Sequence, residues 1–280
     1  MRRGQASYCI SGVASPSPSR IPHPLSLSLR SKEMGVLSNK IERENLKPGD
    51  HIYSWRHAYI YAHHGIYVGE GNVIHFTNGP GGQDIGIGFV LDRIIVSSAP
   101  CYKSYPSVDI PCSSCGDQSK LNGVITSCID CFLSGGNLYR FEYGVSRAFF
   151  LAKVRGGTCT LAPSDPPEGV IHRAKYLLQN DFGSYDVSKN NCEDFAIYCK
   201  TGLIVFSSIG VGGSGQASSF RAAAKAGISF SLRYLTTSFS GLTVVGFGMY
   251  CVGRLDSDIG VRSDVQKVAV ESLVEMFKRG

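Results

Sequence analysis

The chain has 280 residues, 43% hydrophobic and 18% charged, enough for one large domain with a buried core and appendages. Its formal net charge of +6 is modest, and no Lys/Arg stripe is interleaved with aromatics, which argues against a nucleic-acid partner. The same balance suits weak attraction to an anionic membrane surface.

Residues 1–33 are rich in Ser, Pro and Arg and carry no acid before Glu33. That composition fits a disordered extension or an organelle-targeting segment, with Met34 as a second candidate start. Pro, Ser and Arg interrupt every apolar run near the start, so a secretory signal is not expected and a cytoplasmic location is favoured. The ten cysteines are then expected as reduced thiols, suited to catalysis or metal binding.

A folded domain is expected over residues 45–205. It opens at the turn Leu46-Lys47-Pro48-Gly49-Asp50, which launches a strand over 51–55. Residues 62–76 hold two β-rich runs around a Gly-containing turn, a hairpin pattern. Alternation puts His63, Gly65 and Tyr67 on one strand face, and Val73, His75 and Thr77 together on the other arm. A tight two-residue turn would leave the histidines several positions apart, so a bulge or longer loop is needed to join them. A Gly-rich loop over 78–88 and a short strand over 93–96 follow. Residues 100–136, with Cys101, Cys112, Cys115, Cys128 and Cys131 among Ser, Gly and Asp, read as an insertion held by something other than an apolar core. Strand-like sequence returns over 138–143.

Prolines at the start, and Val170, Ile171, Ala174, Leu177 and Leu178 at helical spacing, predict a helix over 167–180. A second helix starts near Asn191, runs through Cys192 to Lys200 and ends at Gly202. Residues 206–280 form a Gly/Ala-rich C-terminal region. Its charge-free stretches, 201–220 and 234–253, are diluted by Gly, Ser and Thr, and leave open whether they cross a membrane, lie on one or pack on the domain. An amphipathic helix is expected over 264–277, capped by Ser263 and Gln266, with Val265, Val268, Ala269, Leu273, Met276 and Phe277 as its docking face.

Acyl transfer by a thiol needs a thiolate, a base that generates it and a group that orients the base. Cys192 falls in the first turn of its helix behind Asn190 and Asn191, where unpaired backbone N–H groups are expected to lower a thiol pKa. Residue types alone favour a plainer reading of His63, His75 and Cys192 as buried core residues. The motifs reverse that preference. His63-His64-Gly65-Ile66-Tyr67-Val68-Gly69, then Val73-Ile74-His75-Phe76, then Asn191-Cys192-Glu193-Asp194-Phe195, resemble the lecithin retinol acyltransferase family. The plant branch, often called NC-domain proteins, looks nearest.

That resemblance covers about residues 45–205 and implies an α+β fold of NlpC/papain-like type, circularly permuted so that histidine precedes cysteine. An antiparallel sheet would carry the histidines and pack against the helix carrying the cysteine. Carried over residue by residue, Cys192 is the nucleophile, His63 the general base and His75 the group that orients it. Tyr185 matches a tyrosine near the family's site, and Tyr67, on the strand face of His63, is grouped with it as a supporting residue. His64 stands where the family usually has an aromatic residue, and Asp194 where animal members usually have His. The implied substrates are acyl esters such as phospholipids, with no cofactor for catalysis.

Cys112-Ser113-Ser114-Cys115 and Cys128-Ile129-Asp130-Cys131 are two CxxC pairs separated by twelve residues, a spacing that suits one structural zinc. Two functions follow. One is a thiol acyltransferase or lipase with peripheral membrane association. The other is a non-enzymatic metal-handling or binding protein on the same scaffold.

Overall fold

The computed structural model describes residues 38–56, 61–78, 111–118, 121–186, 190–206, 214–219, 222–224 and 239–279. The N-terminal extension, the Gly-rich loop beyond Asn78, the strand expected over 93–96 and Cys101 lie outside them.

A five-stranded antiparallel sheet organises the chain, in the order β4-β3-β2-β1-β5. Its strands are β1 (His51–Arg56), β2 (Tyr61–Gly69), β3 (Asn72–Thr77), β4 (Gly123–Cys128) and β5 (Tyr139–Arg140). The expected hairpin is β2–β3. Glu70 and Gly71 both take positive φ, 52° and 74°, as a tight primed turn requires. The register shifts between Tyr67 and Gly69, so Val68 bulges, and Ile66 then pairs with Ile74. This bulge decides the site. Without it every β3 side chain would switch face relative to β2, sending His63 and His75 to opposite sides.

One face of the sheet carries Ile66, Ile74, Phe76 and Val124 against helices α3 (Pro167–Asn180), α4 (Cys192–Thr201) and α6 (Val270–Arg279). In α3 the buried residues are Val170, Ala174 and Leu177, one stripe at i, i+4 and i+7, while Leu178 is exposed. The opposite face packs Ile52 and Val73 against Ile129, Phe132 and Leu133, the last three from the short helix α1 (Ile129–Leu133).

Two expectations change here. Within the expected insertion, residues 121–136 do not stand apart from the apolar core: β4 pairs with β3 from Asn72↔Cys128 to Thr77↔Gly123, and Val124, Ile125, Phe132 and Leu133 are buried. The apolar residues that do this, Val124, Ile125, Ile129, Phe132 and Leu133, are interrupted by Thr126, Ser127, Cys128, Asp130 and Cys131. The helix expected over 264–277 begins later. Val265–Lys267 is strand β7, paired with β6 (Leu203–Val205), because the chain leaving Gly202 emerges extended and takes a partner. Helix α6 buries Val270, Leu273 and Val274 and leaves Met276 exposed.

The short helix α2 (Arg147–Ala152) and the longer α5 (Phe239–Ser257) complete the fold. Among the described residues no helix is long and apolar enough to cross a membrane. Helix α5 nevertheless exposes Val244, Val245, Phe247 and Val252.

Candidate active site

Cys192 opens α4 one residue after its cap. The Asn191 side chain accepts from the N–H groups of Glu193 and Asp194, and the Asp194 carboxylate accepts from the Asn191 N–H at 3.0 Å, closing a capping box. Asp194, the residue that departs from the animal pattern, thus shapes the turn that presents the thiol.

The β2–β3 pairing ends at Ile66 and Ile74, leaving the first residues of β2 without a β3 partner. The Cys192 thiol lies against this stretch, 3.9 Å from the Ala62 carbonyl oxygen and beside the His64 backbone, the residues flanking His63. Its short contact is with the Tyr61 hydroxyl at 2.6 Å, which in turn meets the Tyr185 hydroxyl at 3.1 Å.

The two histidines meet. His63 Nε2 and His75 Nδ1 are 2.9 Å apart, and His75 Nε2 lies 2.7 Å from Ser127 Oγ. Gly65 makes this possible: a Cβ there would come within 2.7 Å of Val73 Cγ1 and 3.1 Å of His75 Cβ. His63 Nδ1 is buried with no hydrogen-bond partner among the described residues, and its ring packs on Phe132 at 5.3 Å between centroids; Cys192 and His63 do not hydrogen-bond in this conformation. Tyr67 is not part of the group; its hydroxyl accepts from the Gly71 N–H in the hairpin turn.

Burial governs the electrostatics. Cys192 is fully buried, and its pKa is pushed up to about 11; the Tyr61 hydroxyl and the His64 backbone pull it only part of the way back. This overturns the expectation of a thiol lowered by its helix N-terminus, since desolvation outweighs the dipole. Burial likewise holds His63 well below the usual histidine range, with the charges of His75 and Arg56 adding to it, and lowers His75 to about 3. At rest the thiol and both imidazoles are neutral.

Glu193 is fully buried and accepts from Ser214 Oγ at 2.6 Å, from the Gly215 and Gln216 N–H groups, and from Gln216 Nε2. Burial raises its pKa against those four donors. The Gln216 side chain also receives the Ala62 N–H at 2.8 Å and donates to the Ala62 carbonyl, filling the strand edge that β3 leaves unpaired. His64 and His51 extend this network, 2.8 Å apart, to Tyr143. Tyr61, Ser127, Glu193 and Gln216 were missed by sequence reasoning. Tyr61 lies on the strand face of His63 two residues earlier, a signal that was available; Ser127 and Gln216 carry none.

The four cysteines of the CxxC pairs converge. Cys112, Cys115, Cys128 and Cys131 place their sulfurs within 4.8 Å of one another, and the group can hold a metal ion. A tetrahedron with sulfurs about 2.3 Å from zinc has edges of about 3.8 Å. The Cys112–Cys128 and Cys115–Cys128 separations are 3.8 and 3.7 Å. Among the described residues every cysteine is free, so the group is not bridged.

Residues 44–205 match the family described as lecithin retinol acyltransferase. The chain belongs to that family. It is also 55% identical over 248 residues to the Arabidopsis thaliana protein LEAD-SENSITIVE 1, covering 88% of this chain and 93% of that one. The resemblance read from the motifs, including its plant NC-domain branch, agrees with both findings. The antiparallel sheet and helices are those of the family's NlpC/papain-like fold, and the family suggests lipid or acyl-ester substrates.

Proposed function

We propose that this protein is a thiol-dependent acyltransferase or lipase that acts on acyl esters such as phospholipids. The observation that carries this reading is the buried, partnerless Nδ1 of His63, next to the strand residues that touch Cys192, while its other nitrogen is held by His75. A neutral thiol and a neutral imidazole, once brought together, call for general-base catalysis rather than a standing ion pair. His63 Nδ1 takes the thiol proton as Cys192 Sγ attacks the ester carbonyl carbon. The C=O electrons move to oxygen, where the Tyr61 hydroxyl, 2.6 Å from Cys192 Sγ, can donate. Collapse expels the alcohol, which receives the proton from His63, and leaves a thioester. Water or an acceptor alcohol or amine then attacks, gives its proton to His63, and releases Cys192. Because Cys192 is fully buried, a neighbouring segment must shift to admit the ester. The exposed apolar side chains of α5 suit peripheral contact with a membrane.

Mixed phosphatidylcholine–phosphatidylethanolamine vesicles test this reading. Release of fatty acid or N-acyl product by the wild type, abolished in Cys192→Ala and His63→Gln, supports it. No release from a folded wild type on these vesicles contradicts it.

A second reading is favoured by the four-cysteine group: a metal-handling or binding protein, with a zinc ion held by Cys112, Cys115, Cys128 and Cys131. The relative's name concerns lead, a thiophilic metal, and fits it. The two readings are compatible, since four thiolates form a closed structural site. Elemental analysis tests the metal reading: one zinc per chain, lost in Cys112→Ser/Cys115→Ser, supports it, and metal-free folded protein contradicts it.

A further inference from the structure

The four-cysteine group adjoins the histidine pair at two points. Cys128 follows Ser127, whose hydroxyl meets His75, and Cys131 precedes Phe132, whose ring packs on both imidazoles at 5.3 and 5.5 Å between centroids. The third link is a side chain. Gln118 donates from Nε2 to the Cys115 carbonyl at 2.6 Å, inside the first knuckle, and its Oε1 accepts from the Ser127 hydroxyl at 3.2 Å.

This arrangement fixes a direction for the protons. The Cys115 carbonyl can only accept, so it orients the Gln118 amide with its NH2 toward the knuckle and its oxygen toward Ser127. Ser127 must then donate to Gln118 and accept from His75, which carries its proton on Nε2. His75 Nδ1 is therefore an acceptor and receives the proton on His63 Nε2. What remains is a bare lone pair on His63 Nδ1, the buried atom without a partner. If the Gln118 oxygen were absent, the Ser127 hydroxyl would be free to donate to His75 instead, and each imidazole could move its proton to the other nitrogen.

We propose that the four-cysteine group is a metal site that sets the tautomer of His63, through Gln118, Ser127 and His75, and so keeps its base nitrogen unprotonated. The proposal rests on the zinc reading above. The metal would tie Cys115 to Cys128 across the two knuckles and hold the Cys115 carbonyl over Gln118. Gln118, Ser127 and His75 are positioning residues in this scheme, since none of them meets the reacting atoms. Outer-shell partners of this kind fix the tautomer and ring orientation of the histidine they bond.

The test uses the full chain, zinc-loaded and chelator-stripped, beside Gln118→Ala and Ser127→Ala, with zinc content measured on every sample. Imidazole nitrogen NMR reads the tautomer, and mass-mapped iodoacetamide labelling reads Cys192 at pH 7. In the zinc-loaded wild type, His63 and His75 should each show a protonated Nε2 and a bare Nδ1. Stripping the metal should mix their tautomers and slow Cys192 labelling about tenfold. Gln118→Ala should do the same while still holding one zinc, and remains informative if the stripped protein unfolds. Retained zinc with unchanged tautomers in Gln118→Ala would overturn the coupling. Absence of bound zinc from folded wild type would overturn the metal reading on which it stands.

Discussion

At the scale of single residues, burial decides how Cys192 behaves. Its pKa near 11 means that alkylation in the absence of lipid should rise with pH through the alkaline range, with no plateau below pH 9. A plateau near neutrality would contradict the neutral-thiol resting state. The Tyr61 hydroxyl lowers that pKa, so Tyr61→Phe should move the profile further upward and slow labelling at pH 8. His63→Gln should cut thioester formation by about a hundredfold or more, the usual size of a lost general base. The motifs made Cys192, His63 and His75 legible. Their ionisation was not, because helix position was visible in the sequence and desolvation was not. Nor was the role of Asp194, whose contribution depends on the backbone geometry of the cap.

At the scale of elements, the hairpin does the positioning. The bulge at Val68 puts both histidines on one face, and the gap at Gly65 lets their rings meet. Gly65→Ala would force a methyl group against Val73 and Phe132, costing about 1–3 kcal/mol and separating the imidazoles. Urea unfolding together with labelling of Cys192 checks this; wild-type values of both would contradict the account. The need for a bulge was readable from the spacing of His63 and His75, but its location was not. Helices α3 and α4 were readable because Pro167, Gly202 and an apolar stripe marked them. Strand β7 was hidden inside an amphipathic pattern that also suited a helix, and only its pairing with β6 selects the strand. Strand β4 was obscured for a related reason: its cysteine and serine signal a metal loop, while its apolar residues are too few to announce a core strand.

Across the whole molecule, four buried histidines among the described residues tie stability to pH. Burial holds His51 and His63 well below the usual range and lowers His64 and His75 to about 3. Each takes up a proton on unfolding below pH 6.5 while staying neutral in the fold, so its stabilising contribution is complete above 6.5 and declines as pH falls toward 3. The loss per histidine is up to about 1.4 kcal/mol per pH unit. Urea midpoints at pH 7.5, 6.5 and 5.5 should therefore fall slightly across the first interval and steeply across the second. Equal midpoints at all three would contradict burial of neutral imidazoles. The segment 214–216, which lies beyond the family match, belongs to this network through Glu193 and Gln216, and no motif marks it.

Intact-protein mass spectrometry after incubation with a mixed phospholipid pool tests the central claim most directly. An acyl-mass adduct is expected on the wild type, absent from Cys192→Ala and released by neutral hydroxylamine as a thioester is. A folded wild type that stays unmodified with every lipid class, or an adduct that persists in Cys192→Ala, would contradict it.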